Sequence, residues 1–314
     1  MINKLKVRCQ KLTCDIFAKG LSRQAFLNRH DLPRPFFNDT MTNLESEREK
    51  TIRDFGEQWT HHQANTGYYA SKALLSDLIE PLLDTTEIEG RKVLEIGSGT
   101  GRIVGMLVEA GASHIVAVEP SVAFDVLVRN TERHGAKVSC LHQRGDQVPR
   151  LNCDLVLSIG VIHHIPQPQP VMEAAWHTLK EGGRCLIWVY GREGNALYLC
   201  IAEPLRWLTR RLPVKANDLL AALLYWPALA YARLAQRFPH LPLSGYLTEV
   251  FLRFDPAQRR LVILDQINPA WARYCTRAEA EELLSAAGFT GIRSYHRHGY
   301  SWTVIGTKSQ PTET

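Results

Sequence analysis

Apolar positions along this chain come in short unbroken runs, separated by stretches where they recur every three or four residues. Residues 93–96 (Val93, Leu94 and Ile96), 114–118, 137–141, 153–159 and 184–190 have the length and apolar density of strands buried on both faces. The intervening stretches read as helices: one opening near Arg102, one over 122–134, and one over 171–179 that stops at a glycine C-cap in Glu181-Gly182-Gly183. Strands alternating with helices imply right-handed crossovers and a parallel sheet, with the ligand site at the C-terminal ends of the strands. Further along, Thr276 and Glu279 have capping-box spacing and open a helix that ends at Gly288. Two more short runs follow, 292–296 and 301–307, with His298-Gly299 as the turn between them.

The first run carries the main chemical signal. It ends in glycines at alternating positions, Gly97, Gly99 and Gly101, a sharp strand-to-helix turn that lets a ligand approach the backbone closely. A dinucleotide fingerprint needs G-x-G-x-x-G, and Arg102 stands where its last glycine belongs. The second run ends in Glu119, about 20 residues on, the interval at which a carboxylate takes ribose hydroxyls. Taken alone, Glu119 is equally an ordinary acid at a strand end.

The spacing Glu95-x-Gly97-x-Gly99-x-Gly101 resembles motif I of class I S-adenosylmethionine (SAM)-dependent methyltransferases. The resemblance implies the Rossmann-like methyltransferase fold, an α/β, doubly wound, seven-stranded, mostly parallel sheet whose last two runs form a closing antiparallel pair. It also implies a SAM site at Glu95, Gly97, Ser98, Gly99, Gly101, Glu119 and Pro120. Asp146, flanked by Gly145 and Gln147, falls where such enzymes bind the adenine amino group; as a plain turn residue it would cap its own loop. Residues 158–166, with Ser158, Gly160, His163 and His164, resemble the segment after strand four in the ubiquinone/menaquinone-biosynthesis methyltransferases. The Asn/Asp-Pro-Pro-Tyr of amino-directed enzymes acting on DNA or glutamine is not there, which argues against that class.

His163 and His164 are the catalytic candidates, since a histidine near its ordinary pKa removes a proton from a hydroxyl acceptor. Adjacent side chains do not both face one pocket, so at most one is a base, and the pair equally serves to shape the loop. Upstream, the aromatic lead-in from Phe55 to Tyr69 places Trp59 or Tyr68 as a lid over the cationic sulfonium; an amphipathic helix packed on the sheet has the same sequence. Residues 264–269 and Tyr274 resemble a segment before the last helix in relatives, with Asp265, Asn268 and Tyr274 facing the acceptor or fixing a loop.

Composition fits a globular enzyme: 314 residues, 45% hydrophobic and 22% charged. Lys4, Lys6, Arg8, Lys11 and Asp15 interrupt any signal-peptide layout, and seven cysteines without a C-x-x-C pair read as reduced thiols in the cytoplasm. Cys9 and Cys14 have no nearby histidine, so no structural metal is expected. Between 191 and 260 stand ten Lys/Arg and five acids, a surplus equal to the net charge of the whole chain, +5. Within that stretch the thirteen residues 219–231 carry no charge, too few for the ~20 that span a bilayer. With its basic flanks, 205–238 reads as a cap on the core, the wall of an acceptor pocket, or a peripheral membrane contact. The scattered arginines accompany no nucleic-acid module, so no nucleic-acid partner is expected.

The expected organisation is a helical N-terminal extension (1–54) broken at Pro33 and Pro35, a SAM-binding core (55–190), a basic helical cap (191–261), a return to the sheet (262–308) and a tail (309–314). The expected function is methyl transfer from SAM to an oxygen or carbon of a small-molecule acceptor. A membrane-surface lipid or quinone methyltransferase and a non-catalytic SAM-binding regulator or scaffold are the alternatives.

Overall fold

The computed structural model describes residues 34–209, 212–267 and 271–309, with the backbone alone at 34–43 and 214. The chain divides into two compact units, 1–45 and 46–314; of the first, only the start of a helix is described. That helix, α1 (Arg34–His61), runs through position 54, where a domain boundary was expected. Pro35 falls in its first turn, where a missing N–H breaks no helical bond, so the expected break at Pro35 does not form. Pro33, Cys9 and Cys14 lie outside the described residues.

In the second unit the strands are β1 (Lys92–Ile96), β2 (His114–Val118), β3 (Val138–Leu141), β4 (Cys153–Ile159), β5 (Leu179–Tyr190), β6 (Thr290–Arg297) and β7 (Ser301–Thr307). They form one seven-stranded sheet in the order β3-β2-β1-β4-β5-β7-β6. The first five are parallel, and β7 runs antiparallel to both β5 and β6, as the motif resemblance implied. Crossovers go one way from β1 to β2 and β3 and the other way from β1 to β4 and β5. A crevice therefore opens at the C-terminal ends of β1 and β4, the usual ligand position in such sheets.

The apolar strand runs are explained by burial on both sides. Val93, Leu155, Leu157, Leu186 and Trp188 join one core layer, while their neighbours Leu94, Val156, Cys185, Ile187 and Val189 join the other. Helices α2 (Lys72–Ile79) and α3 (Arg102–Glu109) pack in the first layer, and α5 (Gln169–Thr178) and α10 (Arg277–Ser285) in the second. The Thr276–Glu279 capping box is formed at the start of α10.

Several element boundaries differ from the sequence reading. Helix α4 covers only Phe124–Thr131 and passes into a 3-10 stretch, Glu132–Lys137, broken at Gly135. Helix α5 ends at Thr178 because Leu179 already pairs with Cys153 in the sheet. Gly182-Gly183 is therefore not a helix cap. It makes the irregularity in β5 and pairs with Lys308, whose carbonyl accepts from Gly182 (2.9 Å) and whose amide donates to Gly183 (2.8 Å). The cap consists of α6 (Ala196–Thr209), α7 (Val214–Arg237), α8 (Ser244–Glu249) and α9 (Pro256–Ile267), and α9 runs through the expected limit at 261. Among the described residues, no helix is long and apolar enough to cross a membrane.

Candidate active site

The turn after β1 is built from backbone bonds that only an unusual conformation allows. Gly97 and Ser98 both donate to the Val118 carbonyl at 2.9 Å, tying the turn to the end of β2. Gly97 has φ +82°, and a Cβ there would lie 2.5 Å from Val161 Cγ2, so glycine is required twice over. The Glu119 carboxylate, 6% exposed, accepts from Gly99 N at 2.8 Å and from Ser121 N at 3.0 Å. Each oxygen keeps a lone pair for a further donor. Gly101 caps α3 and packs against Leu127 and Thr131, off the cavity wall.

Above this turn lies a cavity of about 760 Å³, within the ~300–1,000 Å³ usual for small-molecule sites. Glu95, Gly97, Ser98, Gly99, Glu119, Pro120, Gly145, Asp146, Gly160, His164 and Trp59 are all on its wall. Glu95 is fully buried, and burial pushes its carboxyl up to about 7. Its Oε2 has no hydrogen-bond partner, a buried acceptor awaiting a donor. Asp146 is held by Arg144 through Nε–Oδ1 (3.0 Å) and Nη2–Oδ2 (2.8 Å), with Arg48 Nη1 at 3.7 Å.

Several expected site residues are not on the wall. Gln147 is exposed and does not line the cavity. Ser158 Oγ donates to the Ile96 carbonyl at 3.1 Å, so the hydroxyl fastens β4 to β1. Tyr68 is covered by the Arg253 guanidinium, 3.8 Å from its ring centre, and its neighbour Tyr69 lines the cavity instead, under Arg102 at 4.3 Å. Within the 3-10 turn Tyr68–Ala70 it is thus Tyr69, and not the expected Tyr68, that reaches the wall. Trp59 does reach the turn, with Nε1 3.5 Å from where a Cβ on Gly99 would stand.

The two histidines separate as adjacency requires. His163 is 2% exposed and off the wall, with neither ring nitrogen hydrogen-bonded. Burial holds its pKa well below the ordinary value. His164 lines the cavity, and its Nδ1 donates to the Trp271 carbonyl at 2.8 Å. That bond leaves the lone pair on Nε2, and burial keeps the ring neutral by lowering its pKa.

The cavity wall also carries a polar cluster that the sequence reading largely missed. Tyr190, at the end of β5, donates to Asp265 Oδ2 at 3.0 Å, and Gln58 Nε2 donates to Asp265 Oδ1 at 3.1 Å. Gln266 links Tyr190, Tyr198 and Tyr274, and Arg206 donates to Tyr274 Oη at 2.6 Å. Asp265 and Tyr274, read from the sequence as facing the acceptor or fixing a loop, both line the cavity, while Asn268 lies outside the described residues. The missed signal was Arg206, the one basic residue of helix Ala196–Thr209, which is nonetheless buried. Apolar side chains of the cap, among them Leu205, Leu224, Ala228, Leu247 and Phe251, complete the enclosure.

Residues 67–294 match the family model described as a methyltransferase domain. Among curated proteins the chain is 24% identical over 143 residues to a ubiquinone biosynthesis O-methyltransferase of Citrobacter koseri, covering 41% of this chain and 54% of that protein. It is 32% identical over 117 residues to a tRNA U34 carboxymethyltransferase of Chromohalobacter salexigens, covering 35% of each. The chain thus spans about half the length of the first relative and about a third of the second. Among solved structures, the pyocyanin biosynthetic protein PhzM aligns at TM-score 0.47 and 15% identity over 76% of this chain and 55% of that one. Magnesium protoporphyrin IX methyltransferase from Synechocystis, solved with bound SAH, aligns at TM-score 0.43 and 12% identity over 76% and 83%.

Proposed function

We propose, from the premise that this chain belongs to the methyltransferase-domain family and is a SAM-dependent methyltransferase, that it methylates an oxygen or carbon of a small-molecule acceptor. One observation carries this reading: one cavity has on its wall both the glycine turn and a polar cluster set among apolar side chains. The residues of the turn fit SAM. Glu95, with its unpaired buried oxygen, would take the ammonium, Glu119 the ribose hydroxyls and Asp146 the adenine amino group. When bound, SAM supplies a methyl group already activated as a sulfonium. The protein's part is then to hold the acceptor, exclude water and manage a proton.

Those tasks fall to the polar cluster of the wall and to His164. Asp265, whose carboxylate oxygens keep lone pairs beyond the bonds from Tyr190 and Gln58, presents an acceptor that would orient a hydroxyl of the substrate. His164, with a lone pair on Nε2 and a site on the wall, is the residue suited to receive the acceptor's proton. His163, buried off the wall against Tyr190 at 4.1 Å between ring centres, supports it. Incubating the protein with methyl-labelled SAM and a fractionated cell extract tests the reading. Label is expected in the small-molecule fraction; label confined to RNA or protein, or none at all, would overturn it.

The state of Glu95 gives a second test. Below about pH 7 its carboxyl is neutral and gives an ammonium no counter-charge; above it the carboxylate is present. SAM affinity is therefore expected to rise with pH through about 7, by at most ~10-fold per unit. Glu95→Gln should flatten that slope in calorimetric titrations. A wild-type affinity that does not vary between about pH 6 and 8 would remove Glu95 from the site.

A further inference from the structure

Helix α7 is apolar on both sides. Ala221, Tyr225, Leu229, Ala232 and Ala235 are buried on the inner side. Leu219, Leu223, Trp226, Ala230 and Leu234 repeat at helical spacing on the outer side and are exposed, Trp226 by 70% and Leu223 by 65%. A helix apolar all round is ordinarily buried. Helix α6 repeats the pattern, with Leu197, Ile201, Pro204 and Leu208 exposed at i, i+4, i+7 and i+11. Both helices pack on α9 through Leu205, Ala221 and Leu264, so the two stripes belong to one cap.

Two further features say what covers this face. Exposed Lys215 opens the outer stripe of α7, and exposed Arg233 and Arg237 close it, within the segment that holds the chain's whole positive surplus. Ile201 and Pro227, one from each helix, are at once exposed and part of the cavity wall, so the cavity reaches the surface between the stripes. An apolar face with Trp at its centre and cations at its ends has the chemistry of a helix lying in the interface of an anionic bilayer.

We propose that the outer face of α6 and α7 docks on an anionic lipid surface, and that the acceptor is an apolar molecule dissolved in that bilayer, entering between the helices. The docking stands on the surface alone; the entry of an acceptor rests on the methyl-transfer reading above.

Vesicle flotation of the full chain tests the docking, with vesicles of phosphatidylcholine alone and with phosphatidylglycerol added. Binding is expected only with the anionic lipid, weakening as salt rises. The double variant Leu223→Glu/Trp226→Glu should lose about tenfold or more of that partitioning. SAM affinity by calorimetry should stay unchanged in it, because neither residue lines the cavity. No flotation with phosphatidylglycerol, or equal flotation of the double variant, would overturn the docking. So would a dimer in sedimentation equilibrium that the same double variant dissociates, since a second copy would then cover the face. Docking without any label transfer to lipid-extractable molecules would instead overturn the route for the acceptor.

Discussion

Gly97→Ala is expected to weaken SAM binding about 100-fold or more while the protein stays folded, a loss of about 3 kcal/mol in affinity. Two costs meet at this residue. A Cβ would be placed 2.5 and 2.7 Å from the two γ-carbons of Val161, closer than non-bonded carbons approach. The backbone φ of +82° also costs an L-residue roughly 1–2 kcal/mol. The turn must shift to relieve either, and the Gly99–Glu119 bond shifts with it.

The two costs can be told apart. Val161→Ala added to Gly97→Ala deletes both γ-carbons and leaves only the 3.1 Å contact with Cβ, but it does nothing for φ. The double variant should therefore regain about half of the lost binding free energy, the steric half. Calorimetric titration with SAM reads both variants, and far-UV circular dichroism checks the fold. Wild-type affinity in Gly97→Ala would mean that the turn does not cradle the cofactor.

How much of this could be read from the sequence follows from how local each feature is. The strand runs were legible because each is buried on both faces, and Cys153–Ile159 matches to the residue. The glycine turn was legible because backbone strain selects residue type within a few positions. Boundaries set by tertiary pairing were not: nothing between 171 and 183 says that Leu179 pairs with Cys153. The same holds at the site. Ser158 carries a hydroxyl suited to a ligand, yet the Ile96 carbonyl at 3.1 Å claims it. The cap showed its charge surplus in sequence, but an all-round apolar helix does not say which side meets the core.

Arg206 is the extreme case, because its partner arises 60 residues away. The last carbonyls of α9 have no helical partners, and the helix dipole makes that end negative. Arg206 Nε donates to the Gln266 carbonyl at 2.6 Å, and Thr209 Oγ1 donates to the Ile267 carbonyl at 2.6 Å. Helix α6 thus closes the C-terminus of α9, which explains a buried guanidinium whose hydrogen bonds all go to uncharged groups among the described residues. Arg206→Leu is expected to destabilise the protein by about 3 kcal/mol, from charge-assisted hydrogen bonds lost and a helix end left uncapped in the interior. Arg206→Lys keeps the charge but not the fork that reaches Gln266 and Tyr274 together, so it should fall between leucine and wild type. SAM affinity should change by less than about threefold in either variant, because neither touches the glycine turn. Urea unfolding and SAM titration measure the two quantities separately. If Arg206→Leu unfolds at the wild-type urea concentration, the capping role is wrong; if it loses SAM instead, the arginine acts on the cofactor end of the cavity rather than the acceptor end.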